Sequence, residues 1–310
     1  MHPQLLLAKA RIRDVTKPIG DAVVGALTIS LLRSTRYFNP IKTANLFGRI
    51  TRLVGPMTRE QRIGRANLVA AFPEKSKAEI ETILAGVWDN LGRLGAEFAH
   101  LDHVWEYDED LPNRGRIEIE PRTHELFAEL RRDGKPALIF AGHLGNWELP
   151  AVAAVAHRLD AAILFRRPNS ASANRIIEEL RAVKMGTLIP AGRDAPLKMA
   201  EALRKGQHVA MLVDQYFTNG VDVTFFGRKT KANPTLARLL RQIECPVHGV
   251  RIIRLPDHRF RAELTEEIEP VRDASGQIDV QQTMQTITSV IEGWIREYPD
   301  QWLWLHRRWR

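Results

Sequence analysis

Ala137-Leu138-Ile139-Phe140-Ala141-Gly142-His143-Leu144-Gly145-Asn146-Trp147-Glu148 is the stretch on which the fold turns. The run Ala137 to Ala141 is apolar without alternation, and it stops at a glycine. A short continuous run of this kind suits a strand covered on both faces, as in a parallel sheet. His143 then falls in a loop at the strand's carboxyl end. Asn146 is a good cap residue for a following helix, and Glu148 sits in that helix's first turn, where a carboxylate meets the positive end of the helix dipole.

The pattern repeats outward from this stretch. Ala161 to Phe165, Thr187 to Pro190, Val209 to Val213 and Pro246 to Ile253 read as further buried strands. Arg116 to Glu120 alternates as a strand does, and Arg259 to Leu264 is expected to add an edge strand. Helices are expected over His124–Arg132, Leu149–Arg158, Asn174–Val183 and Val280–Tyr298. Strands alternating with helices predict an α/β fold, with a mostly parallel central sheet flanked by helices. Residues 1–105 read instead as a helical amino-terminal region. Prolines punctuate it, and Ile80, Ile83, Leu84, Val87, Leu91, Leu94 and Phe98 form one apolar stripe. The division expected is 1–105 and 106–310, joined as one continuous unit.

The chain has 310 residues, 44% of them hydrophobic, which is enough for a sizeable core and argues against a disordered chain. Its formal net charge of +8 favours an anionic partner. Cys245 is the lone cysteine, which excludes an intramolecular disulfide and the Cys-rich zinc sites. The apolar run Ala22 to Leu32 is too short to span a bilayer, but basic residues flank it on both sides. It is therefore expected to associate with an anionic membrane surface without crossing it; the competing reading is a core helix with basic ends.

In α/β sheets, functional residues gather in loops at the carboxyl ends of strands. Three loops qualify. In the first, glycines flank His143, and Glu148 can converge on it if the chain turns between them. A carboxylate beside an imidazole fixes its tautomer and stabilises the imidazolium, so His143 can take a proton from an attacking alcohol with no Ser or Cys nucleophile. The second loop, Phe165-Arg166-Arg167-Pro168-Asn169-Ser170, presents two arginines that suit phosphate or carboxylate, or a surface salt bridge. The third carries Asp214, a candidate for orienting a donor group, for pairing with an arginine, or for capping a turn. Trp302 to Arg310 interleaves aromatic and basic residues. With no nucleic-acid-binding module in the chain, nucleic acid is not expected as a partner, and an interfacial belt or core packing are the other readings. There is no G-x-S-x-G elbow, Walker A loop, H-E-x-x-H or G-x-G-x-x-G, so ATP, zinc and dinucleotide chemistry lack support and no cofactor is expected.

These stretches, taken in order, resemble the late acyltransferases of lipid A biosynthesis, within the wider lysophospholipid acyltransferase group. His143 to Glu148 looks like that group's H-x4-D/E motif in its glutamate form. Asn67-Leu68 with Ala71-Phe72-Pro73 resembles an upstream N-L-x-x-A-F-P signature. Phe165 to Asn169 resembles the arginine loop after the next strand, and spacing to Arg175-Ile176-Ile177-Glu178 favours Arg166 as the equivalent arginine. Val213-Asp214-Gln215, Phe225-Phe226-Gly227 and Trp304-Leu305-His306-Arg307-Arg308 complete the series. The resemblance implies transfer of a fatty acyl chain from acyl-acyl carrier protein to a hydroxyl of a lipid A precursor, at the cytoplasmic face of the inner membrane, by a peripheral or monotopic protein. It implies His143 as general base, Glu148 as its orienter, Arg166 and Arg167 on acceptor phosphate, and Asp214 assisting at the substrate. The alternatives are acylation of another glycolipid or phospholipid, or a non-catalytic membrane-binding protein of the same fold.

Overall fold

The computed structural model describes residues 30, 34–108, 114–167, 181 and 185–310. The run Ala22 to Leu32 lies almost wholly outside these residues, as does the helix expected over Asn174–Val183. Among the described residues the amino-terminal region contains α1 (Pro40–Val54), α2 (Arg59–Ala71) and α3 (Lys77–Phe98), then a single turn, α4 (Leu101–Val104). Their starts follow from local chemistry. The Asn39 side chain accepts from Lys42 N ahead of Pro40 at the first helical position. Ser76 and Glu79 form a reciprocal capping box on α3. α1 lies against α3 at very short range. A side chain added at Gly92 would meet the Phe47 carbonyl at 2.4 Å, so only glycine permits this crossing.

The second region contains β1 (Ile117–Ile119), α5 (Pro121–Arg132), β2 (Leu138–Ala141), α6 (Leu149–Ala156), β3 (Ala161–Phe165) and β4 (Thr187–Pro190). It continues with α7 (Ala195–Arg204), β5 (His208–Leu212), β6 (Val221–Phe225), β7 (Arg228–Ala232), α8 (Thr235–Gln242), β8 (Val247–Arg254), β9 (Phe260–Leu264) and α9 (Val280–Glu297). Seven strands form one sheet in the order β1-β9-β8-β2-β5-β3-β4. Strands β8, β2, β5, β3 and β4 are mutually parallel, and β9 alone runs antiparallel to its neighbour β8. The fold is α/β, as expected.

Several features differ from expectation, α7 and α8 among them, since no helix was expected over either. Strand β9 is not at the edge, because β1 pairs with it in parallel on its outer side and becomes the edge strand. Val221 to Ala232 is a separate two-stranded hairpin, turning through Phe226 and Gly227 at positive φ. Its Val223 and Phe225 face the core while Asp222 and Thr224 are exposed.

The interleaved aromatic and basic segment belongs to the core. Trp302, Trp304 and Arg308 are among the most deeply buried large side chains. Phe72, Phe225, Phe226 and Trp309 surround them, with Phe72 5.7 Å from Trp304 and Phe225 5.7 Å from Trp302. Asn67 donates to the Trp304 and His306 carbonyls, both at 2.8 Å, and Arg308 donates to Thr230 Oγ1 and the Lys231 carbonyl in the hairpin.

Candidate active site

Strands β2, β5 and β3 are neighbours in the sheet, so the loops leaving their carboxyl ends lie side by side. The first delivers His143, the second Asp214 and Gln215, the third Arg166. The loop after β2 is held from several directions. Gly145 N donates to the Gln301 carbonyl and Leu303 N to the His143 carbonyl, and Leu144 bridges to Trp302. Asn90 donates to the Gly145 carbonyl at 3.0 Å. Gly145 has φ +56°, and an added Cβ would come within 1.9 Å of the Ile252 carbonyl, so this bend admits only glycine. Asn146 donates to Glu97, whose buried carboxylate is also gripped by Arg254 through two bonds of 2.6 and 2.9 Å. Burial alone would raise the Glu97 carboxyl. The charge and hydrogen bonds of Arg254, with Arg116 and Asn146 adding to them, outweigh it and hold the group below its ordinary value.

His143 is oriented by Asp214. Its Nδ1 lies 2.7 Å from Asp214 Oδ1, and its backbone N–H donates to Oδ2 at 2.7 Å. Trp302 Nε1 also donates to Oδ2, at 2.7 Å. Burial pushes the Asp214 carboxyl up, but the charge of His143 and its two hydrogen bonds, with that of Trp302, reverse this. The group is held well below the usual carboxylate range. An ionised Asp214 accepts only, so Nδ1 carries the proton and the Nε2 lone pair is left for chemistry. Gln215 Nε2 stands 3.2 Å from that Nε2, and the His143 ring meets Trp147 edge to face at 5.2 Å.

Glu148 was the expected partner of His143. In the structure the Nδ1 bond goes to Asp214, and Glu148 is bound by Arg181 through contacts of 2.7 and 3.1 Å. The physical reason lies in the loop: Glu148 stands at the N-cap position of α6 with its carboxylate turned to Arg181, whereas Asp214 is brought up from the adjacent strand end directly behind the imidazole. Asp214 in turn was expected to assist at the substrate, yet it is buried, bonded through both oxygens to His143 and Trp302, and absent from the cavity wall.

Beside His143 opens a cavity of about 340 Å³. His143, Glu148, Arg166, Arg181 and Gln215 supply its polar groups. The rest is apolar: Ile139, Ile163, Ala210, Leu212 and Val250 come from one face of β2, β3, β5 and β8. The small side chains of Ala141, Ala151 and Ala210 leave the space open. Arg181 rests on two rings, 5.4 Å from the centre of Phe98 and 5.6 Å from that of Phe165. Arg167 is exposed and is not part of the wall; its charge contributes to lowering the Asp194 carboxyl. Among the described residues, no group of three or more His, Cys, Asp or Glu is arranged to hold a metal ion.

Of the residues singled out in the sequence, His143, Glu148 and Arg166 line one cavity. Arg181, which carries no local motif, was missed, and so was Trp302, whose indole N–H role depends on a chain return. Gln215 was visible only as the companion of Asp214.

Comparison with known proteins gives the family. The family model described as "Bacterial lipid A biosynthesis acyltransferase" matches residues 20–310. The "Lipid A biosynthesis palmitoleoyltransferase" of Escherichia coli (strain K12) is 25% identical over 260 residues, covering 82% of this chain and 80% of the relative. The "Lipid A biosynthesis acyltransferase" of Shigella flexneri matches to the same extent. With the match running through every loop that lines the cavity, the chain belongs to the bacterial lipid A biosynthesis acyltransferase family and is an acyltransferase.

Proposed function

We propose that the protein transfers a fatty acyl chain from acyl-acyl carrier protein to a hydroxyl of a lipid A precursor, with His143 as general base. The observation that carries this reading is the Asp214-oriented imidazole opening onto an apolar cavity. The acyl chain lies along the sheet face formed by Ile139, Ile163, Ala210 and Leu212. Its thioester carbonyl stands beside His143 Nε2.

The acceptor hydroxyl gives its proton to Nε2 as its oxygen attacks the thioester carbon. Asp214 stabilises the imidazolium that forms. Collapse of the tetrahedral adduct breaks the carbon–sulfur bond. The thiolate takes the proton back from Nε2, leaving an ester, a free thiol and neutral His143. Arg166 binds a phosphate of the acceptor, with Arg167 adding charge beside it. Glu148 serves by holding Arg181 at the cavity rather than by orienting His143. The protein works at the cytoplasmic face of the inner membrane as a peripheral or monotopic protein. No helix among the described residues is long and apolar enough to cross a membrane.

The test is transfer from labelled acyl-acyl carrier protein to a lipid A precursor, with products identified by mass spectrometry. His143→Ala is expected to lower the rate by about 10²–10⁴-fold with the protein still folded. Parent-level transfer by this variant would overturn the mechanism. Product formed only with a glycerophospholipid acceptor would overturn the substrate.

A further inference from the structure

Most of the exposed large apolar side chains among the described residues lie between Tyr37 and Met57. Tyr37 is 89%, Leu53 77% and Met57 85% exposed, and Phe38, Leu46, Ile50 and Val54 are exposed with them. The spacing 46, 50, 53, 54, 57 places them on one side of α1 and of the turn that follows it. The opposite side, with Ala44, Gly48 and Thr51, is laid against α3.

Charge accompanies this stripe. Lys42 and Arg49 border it, and Arg52 lies further round the helix; all three are exposed and make no ion pair among the described residues. Elsewhere on the surface Arg65, Arg122, Lys198, Lys205, Arg272 and Arg296 are each paired with a carboxylate, while Arg158, Arg204 and Lys229 are exposed without one among the described residues, so it is the company of apolar side chains that marks the cations of α1. Between Ala22 and Arg59 the sequence contains no Asp or Glu at all. Apolar side chains interleaved with cations, in a segment with no carboxylate of its own, match an acyl boundary beneath anionic headgroups. Their distribution along roughly 22 Å of helix, 15 residues at 1.5 Å each, fits an extended surface.

The stripe also has a direction. α1 runs antiparallel to α3, with Asn45 meeting Arg93 and Thr51 meeting the Trp88 carbonyl. The amino-terminal end of α1, with Tyr37 and Phe38, therefore lies toward Phe98, the residue that supports Arg181 at the cavity.

We infer that the exposed face of α1, from Tyr37 to Met57, is a docking surface for an anionic lipid bilayer, which turns the acyl cavity toward the membrane. This deepens the proposed function, and it rests on that reading only for the orientation of the cavity. Leu46, Ile50, Leu53 and Met57 enter the acyl boundary while Lys42, Arg49 and Arg52 meet lipid phosphates.

Flotation of the full chain with vesicles tests it, without acyl donor or acceptor. Vesicles of phosphatidylglycerol and phosphatidylethanolamine are compared with vesicles of phosphatidylcholine alone. The triple variant Ile50→Ser, Leu53→Ser, Met57→Ser is expected to lose about tenfold or more in binding to the anionic vesicles. Lys42→Glu with Arg49→Glu is expected to lose a similar factor, and the parent's binding falls as salt rises. Acyl transfer in detergent solution stays at the parent rate in both variants, so failure of docking and failure of the catalytic reading are separately visible. A second measurement avoids altering the face broadly. An environment-sensitive dye at Leu53→Cys shifts to the blue on anionic vesicles, and the same dye at Lys205→Cys does not. Undiminished vesicle binding by the variants, equal binding to neutral vesicles, or an unshifted dye at residue 53 overturns the inference. So does loss of affinity for acyl carrier protein with vesicle binding intact, which would assign the stripe to that acidic protein.

Discussion

Two carboxylates serve the site, one behind His143 and one on the cavity wall, and they are held in opposite ways. Asp214 has a side chain 1% exposed and accepts three hydrogen bonds, from His143 Nδ1, His143 N and Trp302 Nε1. Glu148 is 12% exposed, lines the cavity and is gripped by Arg181. The first is fixed by backbone and indole, groups that cannot swing away. The second is fixed by a side chain that itself faces the cavity and can exchange partners with a substrate. Rigidity suits a group that must hold one imidazole tautomer, and under the proposed function adaptability suits a group that faces the acceptor.

Substitutions at the two carboxylates separate these roles. Asp214→Asn keeps the shape, removes the charge and invites the wrong tautomer. It is expected to lower kcat by about 10³–10⁴-fold with KM little changed. Glu148→Gln and Arg181→Gln are expected to cost about 10–100-fold each, mainly in KM, and together little more than either alone. Steady-state kinetics on the three variants decide the matter. If Glu148→Gln falls in kcat as far as Asp214→Asn, the assignment of roles is reversed. Trp302→Phe keeps the ring in the core and deletes one bond to a charged oxygen. It is expected to lose about 1.5–3 kcal/mol of stability by urea unfolding and a smaller factor in kcat.

The smallest effect is in acid. Asp214 is held below its ordinary value in the folded chain, so its contribution is fully present above the unfolded carboxylate value of about 3.9. It is lost as pH falls through that value toward the lower folded one. The urea midpoint of the parent should drop more steeply between about pH 4 and pH 2 than that of Asp214→Asn. Equal slopes would show that the folded chain gives Asp214 no special hold on its charge.

The same contrast explains what the sequence disclosed. Strands such as Leu138–Ala141 and Ala161–Phe165 are legible because burial on both faces writes an unbroken apolar run. The hairpin Val221–Ala232 was obscured because half of its side chains face solvent and its turn uses Phe226-Gly227. Helices Ala195–Arg204 and Thr235–Gln242 are short and carry little more than one apolar side. At the site, His143, Glu148 and Arg166 are legible from strand-end loops. The bond from His143 to Asp214 joins residues 71 positions apart, and that from Trp302 to Asp214 joins residues 88 apart, distances over which spacing carries no signal. Several stretches most recognisable as motifs prove to be support. Asn67, Phe72, Phe226, Trp304 and Arg308 touch one another or the hairpin, not the cavity.

The return of Gln301 to Leu303 beneath the His143 loop also sets a timetable for biosynthesis. A ribosome makes the strands that wall the cavity, and the loops bearing His143 and Asp214, long before it reaches Trp302. Domains generally fold as units. The strands that wall the cavity belong to one sheet with β8 and β9, so hollow and charged pair are completed together, once the last-made segment has come back beneath the loop.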